Sequence, residues 1–241
     1  MHICTERWTP REVEIIAGLP VHTVVRAVCY EMRYAPFIEA AAIALNMAAF
    51  HDLVSLDEAA DWIDLHPSYT GIEQARQAWQ LGDENAWSPA EVSMRGIWVG
   101  AGYREPLSNR PVFDLNGRHL GTPDLIDPAT GVVGEYQGEA FHGGARRAAD
   151  LARMHNFRSH GLEPVEMVGA DLRVPHDFLM RLRAAYAAAE ARPVTERRWT
   201  LDLPDWWVPT FTVAQRRALS PRDRDIWLRH RTDIGRPPLA G

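Results

Sequence analysis

The chain contains no lysine: all 26 of its basic residues, out of 241, are arginine. No ammonium group is therefore available for catalysis anywhere in it, which excludes Schiff-base and lysine-base chemistry. The bias itself reads as a GC-rich coding preference. Cysteine is nearly as scarce. Cys4 and Cys29 match no metal or redox spacing, and two reduced thiols are expected. Long hydrophobic runs are also missing. The longest apolar stretch, PFIEAAAIALNMAAF at 36–50, spans 15 residues and carries Glu39 and Asn46. It is too short and too polar for a bilayer span, so no membrane partner is expected. The opening MHICTERWTP is polar and charged, unlike a secretory signal. These features together predict a cytoplasmic protein.

The residues present describe an ordinary globular chain, 46% apolar and 24% charged, long enough for one large domain or two small ones. The charge is unevenly spread. Residues 1–84 hold 5 arginines against 13 acids, residues 85–172 hold 8 against 11, and residues 173–241 hold 13 against 8. A net charge of −6 does not suggest a nucleic-acid binder. The basic C-terminal third could nonetheless carry a phosphate-contacting surface, or it could be a solvated helix face.

Three regions follow from the patterning. Residues 1–84 read as a helical N-terminal region. In it LPVHTVVRAVCYEMRY sets Val21, Val24, Val25 and Val28 at helical spacing, and Ser55 with Glu58 forms a capping box. Residues 85–172 read as α-β-β-β-α-β. Ser88, Pro89 and Glu91 open the first helix as N-cap, first residue and third residue, and Met94, Ile97, Trp98 and Ala101 form its buried stripe. Three short strands are set off by the turns Asn116-Gly117 and Asp127–Gly131. A helix over 144–160 follows, with Leu151, Met154 and Phe157 inward, then a strand at LEPVEMVG. Residues 173–241 read as a helical, basic, Arg/Trp-rich extension, with helices near 175–190, 212–219 and 221–231. Its Trp206, Trp207 and Phe211 are expected to pack rather than to stack on bases.

One hairpin carries the chemistry. A four-residue loop Pro128–Gly131 pairs Asp127 with Val132 and therefore sets Asp124 opposite Glu135. Directly opposed residues have Cβ atoms roughly 4.5–5.5 Å apart. Two carboxylates at that distance repel, so either one pKa rises or a cation sits between them. A hard dication such as Mg²⁺, bound through one or two carboxylates plus waters and phosphate, fits that need. Period 2 places Val133, Glu135 and Gln137 on one face of the strand and Val132, Gly134 and Tyr136 on the other. The alternative is an acidic rim pointing into solvent.

An acid late in one strand, followed ten residues on by Glu-x-polar, resembles the PD-(D/E)xK nuclease superfamily. The longer string SPAEVSMRGIWVGAG…GRHLGTPDLIDPATGVVGEYQGEAFH…DLARMHNFRSHG resembles the Vsr-like endonuclease domain common in actinobacterial proteins. The likeness covers about residues 85–172. Residues 20–84 also resemble the helical segment that follows an AbiEi-type antitoxin winged helix, and the winged helix itself is not expected here. The resemblance implies a restriction-endonuclease-like core with a mixed sheet, and Mg²⁺- or Mn²⁺-dependent hydrolysis of DNA. Asp124 and Glu135 would ligate the metal, with a ligand from the Tyr136 carbonyl, and His142 would act as acid, base or phosphate contact. Glu91 matches the family's first-helix acid, and Asp150 and Arg153 match its helical pair. Arg146, Arg147 and Arg153 are candidate phosphate contacts. Gln137 departs from the pattern, since the superfamily has Lys there and the subfamily often Asp. A neutral amide orients water but supplies neither charge nor base. The alternative function is therefore a weakly active or inactive nuclease scaffold that binds DNA or a protein partner in a regulatory, antitoxin-like role. Homo-oligomerisation is left open.

Overall fold

The computed structural model describes residues 6, 8–138, 144–229 and 231, with backbone only at 144–150 and 194. The chain is mixed α/β and divides into two compact units, Met1–Gly82 and Asp83–Gly241.

The first unit begins with an antiparallel hairpin, β1 (Val13–Ile16) and β2 (Leu19–His22). Helices α1 (Val24–Tyr34), α2 (Ile38–Phe50), α3 (Leu56–Leu65) and α4 (Ile72–Trp79) follow. The hairpin corrects the expectation of helix from residue 20. Ala17 and Gly18 both take positive φ, 52° and 80°, which is the two-residue turn whose twist suits a hairpin. Pro20 and Val21 lie in β2, and the helix starts only at Val24. The capping box on α3 forms as its sequence predicts: Glu58 N–H donates to Ser55 Oγ at 3.1 Å, and Ser55 N–H donates to Glu58 Oε2 at 2.7 Å. Cys29, Met32, Ala41, Leu45 and Ile63 are buried among these helices. So are two arginines. Arg26 donates to Glu12 at 2.6 Å and lies 3.6 Å from Glu6. Arg33 donates to both oxygens of Glu6, at 2.7 and 2.6 Å.

In the second unit α5 (Pro89–Gly100) leads into five short strands: β3 (Leu107–Ser108), β4 (Val112–Asp114), β5 (His119–Gly121), β6 (Leu125–Ile126) and β7 (Val132–Gln137). Three had been expected. They divide between two sheets, because the β4–β5 hairpin folds away and pairs with β9 (Trp199–Thr200) instead. The main sheet has the order β3-β6-β7-β8, with β8 (Glu163–Val168) parallel to β7 and the other neighbours antiparallel. Helix α6 (Gly144–Ser159) lies in the crossover connection that a parallel β7–β8 pair requires. Helix α7 (His176–Ala191) and then α8 (Val213–Arg217) and α9 (Pro221–Trp227) complete the described elements.

Two apolar layers sandwich the sheet. On one face Met94 and Trp98 of α5 and Phe178, Leu182 and Tyr186 of α7 pack on Leu125, Val132, Val165 and Met167. On the other, Met154 and Phe157 of α6 pack on Ile126, Val133, Val112 and Trp199. Neighbouring residues Val132 and Val133 thus serve opposite layers, as strand period 2 demands. Each fully buried side chain of this size contributes about 1.5–3 kcal/mol. Gly134 is required by the close approach of α5: a Cβ there would lie 3.0 Å from the Trp98 ring and 3.5 Å from Met94 Sδ. Helix α7 and β9 belong to these same layers, so the stretch beyond 172 expected as an extension is built into the unit. Two details of the helices differ from expectation. Leu151 is 63% exposed rather than inward, and Ala101 is exposed at the end of α5. No helix among the described residues is long and apolar enough to cross a membrane.

Candidate active site

The N-terminus of α5 and the C-terminal end of β7 border a cleft of about 490 Å³, lined by Ser88, Glu91, Ser93, Asp124, Tyr136 and Leu172 among others. Glu91 is 7% exposed. Ser88 caps the helix, its Oγ accepting from Glu91 N–H at 3.3 Å. Glu91 does not close a capping box on the Ser88 amide. Its Oε2 instead accepts from Trp87 N–H at 2.8 Å and from Asn109 Nδ2 at 2.7 Å, while Oε1 accepts from Ser88 Oγ at 2.9 Å. The carboxylate is thereby turned inward.

Asp124 stands just before β6. The observed register, Leu125 on Gly134 and Ile126 on Val133, with Asp127 N–H donating to Val132 O at 2.9 Å, is the one the loop length predicts. Extended by one residue it sets Asp124 opposite Glu135. The two carboxylates have different hydrogen-bond partners, however. Asp124 Oδ2 accepts from Tyr136 N–H at 2.7 Å, which holds it at the cleft. Glu135 lies on the α6 face, buried, and its Oε2 accepts from Arg153 Nη2 at 2.9 Å. Glu135 is not among the residues lining the cleft.

The electrostatics follow this division. Burial pushes the Glu91 carboxyl up to about 8, helped by the charge of Asp124 and opposed by its hydrogen bonds from Asn109, Trp87 and Ser88. Burial likewise raises Asp124, to about 6, while the Tyr136 amide and the Arg153 charge pull it back. The dilemma posed by the sequence, a raised pKa or an intervening cation, is met in both ways. Asp124 is raised by its burial, and the cation beside Glu135 is the Arg153 guanidinium.

Gln137 ends β7, half-buried, on the Glu135 face. His142 lies outside the described residues, as do the side chains of Arg146, Arg147 and Asp150. Arg153, a candidate phosphate contact, is ion-paired with Glu135. Trp206 and Trp207 pack edge-on against Phe113, with Trp227 on Trp207. No group of three or more His, Cys, Asp or Glu that could hold a metal ion occurs among the described residues. Sequence reasoning missed Asn109 and Asn85. The available signal was an asparagine in the loop LSNRP, since Asn tolerates positive φ better than other side-chain-bearing residues.

No protein-family model, no curated protein and no solved structure matches the chain.

Proposed function

We propose that the second unit is a nuclease-type domain of restriction-endonuclease-like topology that hydrolyses DNA phosphodiesters with Mg²⁺ or Mn²⁺. The observation that carries this reading is the meeting of Glu91 and Asp124, 33 residues apart in sequence, in one cleft where burial raises both carboxyls and the charge of Asp124 raises Glu91 further. Perturbed acids converging in a cleft are a mark of functional sites. The order of one helix, antiparallel strands, a crossover helix and a parallel strand supports the same reading.

The donor set fits a hard dication that keeps waters and takes substrate phosphate, but it does not fit an all-protein cage. Glu91 and Asp124 are the residues that would hold the ion, in place of the Asp124–Glu135 pair that the sequence suggested. A dication in such a site supplies Lewis-acid charge to a phosphate oxygen and acidifies a bound water. The protein's own groups do the rest. The Tyr136 amide fixes one oxygen of Asp124 and leaves the other for the cleft. Burial favours the protonated form of Glu91, which a bound cation would have to displace. Arg153 places a permanent positive charge close enough for Asp124 to feel it. Gln137 orients water through its amide and contributes no base, so turnover is slow.

A second reading is a non-catalytic DNA- or partner-binding module on this scaffold. It is favoured by Gln137 and by the neutralisation of Glu135 by Arg153. Incubating supercoiled plasmid with the protein and Mg²⁺ or Mn²⁺ separates the two. Nicking that is abolished by chelator and by Asp124→Ala supports the nuclease. Salt-dependent DNA binding with no cleavage and no metal requirement supports the module.

A further inference from the structure

Asn109 is the point at which both arms of the carboxylate pair are tied. It follows β3, and the β3–β6 register continues through it: Asn109 N–H donates to the main-chain oxygen of Asp124 at 2.9 Å. Its side-chain Nδ2 donates to Glu91 Oε2 at 2.7 Å and to Asn85 O at 2.7 Å. Asn85 returns the clasp, its Nδ2 donating to the main-chain oxygens of Ser108 at 2.7 Å and Asn109 at 3.1 Å. One residue therefore bonds the segment bearing Asp124 through its backbone and the carboxylate of Glu91 through its side chain.

Two local costs fall on this same residue. Its φ is +47°, and it is 2% exposed with Oδ1 buried and unmatched by a hydrogen-bond donor. A strained backbone and an unsatisfied buried acceptor persist only where the surroundings over-determine them, and such residues concentrate at functional sites. A loop residue needed only for the turn could be glycine, which takes positive φ without strain and buries no amide. The amide that asparagine retains there joins the Asn85 main chain to the Glu91 carboxylate.

We infer that Asn109 is the positioning residue of this site, holding the Glu91 carboxylate at a fixed place relative to Asp124. The inference rests on the nuclease reading for its functional consequence but not for its geometry. Asn109 donates to the ionised form of Glu91, so it favours the form that a cation requires. Supporting hydrogen bonds of this kind are worth roughly ten- to a hundredfold in metal affinity.

The test uses the full chain, with two variants. Asn109→Gly accepts the positive φ and deletes the amide. Asn109→Ser keeps a polar side chain that is too short to reach Glu91 and adds no charge. The position of the Glu91 carboxylate is read from crystal structures of wild type and variants, and Mn²⁺ binding is measured by calorimetry. Positioning requires the carboxylate to leave its wild-type place in both variants, with Mn²⁺ affinity reduced roughly ten- to a hundredfold. A carboxylate that keeps its place in both variants overturns the inference. If Asn109→Gly does not fold, the Asn109→Ser structure decides alone by the same criterion. A wild-type protein that binds no Mn²⁺ while the Glu91 carboxylate still moves in the variants refutes the metal reading and leaves the positioning role standing.

Discussion

In the first unit Glu6 and Glu12 lie against Arg26 and Arg33; in the second, Glu91 and Asp124 lie against each other. Burial alone pushes all four carboxyls up. For Glu6 the hydrogen bonds of Arg33 and Tyr34 and the nearby guanidinium charges outweigh it, and the net shift is downward. Glu12 is likewise lowered on balance, through Thr9 and Arg26. Glu91 and Asp124 receive hydrogen bonds too, from Asn109, Trp87, Ser88 and Tyr136, and Asp124 feels the Arg153 charge, but both are raised on balance. The same chemical group is thus a fastener in one unit and a poised acid in the other. What distinguishes them is the partner's charge together with the far stronger desolvation of the second pair.

Substitutions can break this contrast or sharpen it. The largest effect is expected from Asp124→Ala, which removes the carboxylate that the Tyr136 amide orients. Metal-dependent plasmid nicking should fall roughly a hundredfold or more, with the fold intact by circular dichroism. A variant as active as wild type would break the assignment of the cleft. Next is Arg26→Met, which leaves Glu12 buried without its guanidinium. Breaking one side of a buried pair costs about 3–5 kcal/mol, to be read from urea denaturation of the full chain. Little change would show that the first unit's carboxylates are not fastened as described.

Glu91→Gln should act in the opposite sense on stability. The amide oxygen can still accept from Trp87 and Asn109, and its NH₂ can donate to Ser88 Oγ. A raised acid stabilises the fold below its ordinary pKa, and that contribution is lost as pH rises through the folded value. For Glu91 the window runs from 4.5 to about 8, and for Asp124 from 3.8 to about 6. The wild type is therefore expected to lose stability between about pH 4 and 8, and Glu91→Gln to lose less. The variant should be about 1–2 kcal/mol more stable than wild type at pH 8.5 while being inactive. Equal thermal midpoints at that pH would deny the strain at Glu91. The smallest effect is Tyr34→Phe, which deletes an exposed hydrogen bond to Glu6 at 2.6 Å. It should change stability by about 0.5 kcal/mol or less in the same denaturation series.

Legibility in the sequence followed distance along the chain. The loop Pro128–Gly131 lies within its own hairpin, and its length set a register that the structure reproduces. Ser88, Pro89 and Glu91 mark the start of α5, again within a few residues. The first hairpin was missed because Val21, Val24 and Val25 satisfy helical spacing while Ala17-Gly18, a weaker turn signal than Asn-Gly, went unread. Leu151 was misplaced because one apolar residue at a helix's edge can satisfy the period and still face water. The strand count fell short because β3 has only two residues and one expected strand divides into β5 and β6, and the β4 partner β9 lies too far along the chain for any local pattern.

The sequence by itself determined which residues share a strand face, where α5 begins, and that Asp124 and Glu135 stand in register. These rest on turn length and on the periods of helix and strand, which are local. Only the tertiary structure decided that Asp124 leans toward Glu91, that Arg153 covers Glu135, and that Asn109 ties the cleft together. Those outcomes depend on which helix packs on which face of the sheet. Gly134 lets Trp98 of α5 approach one face and α6 brings Arg153 to the other, so two carboxylates opposed in register end in different electrostatic surroundings.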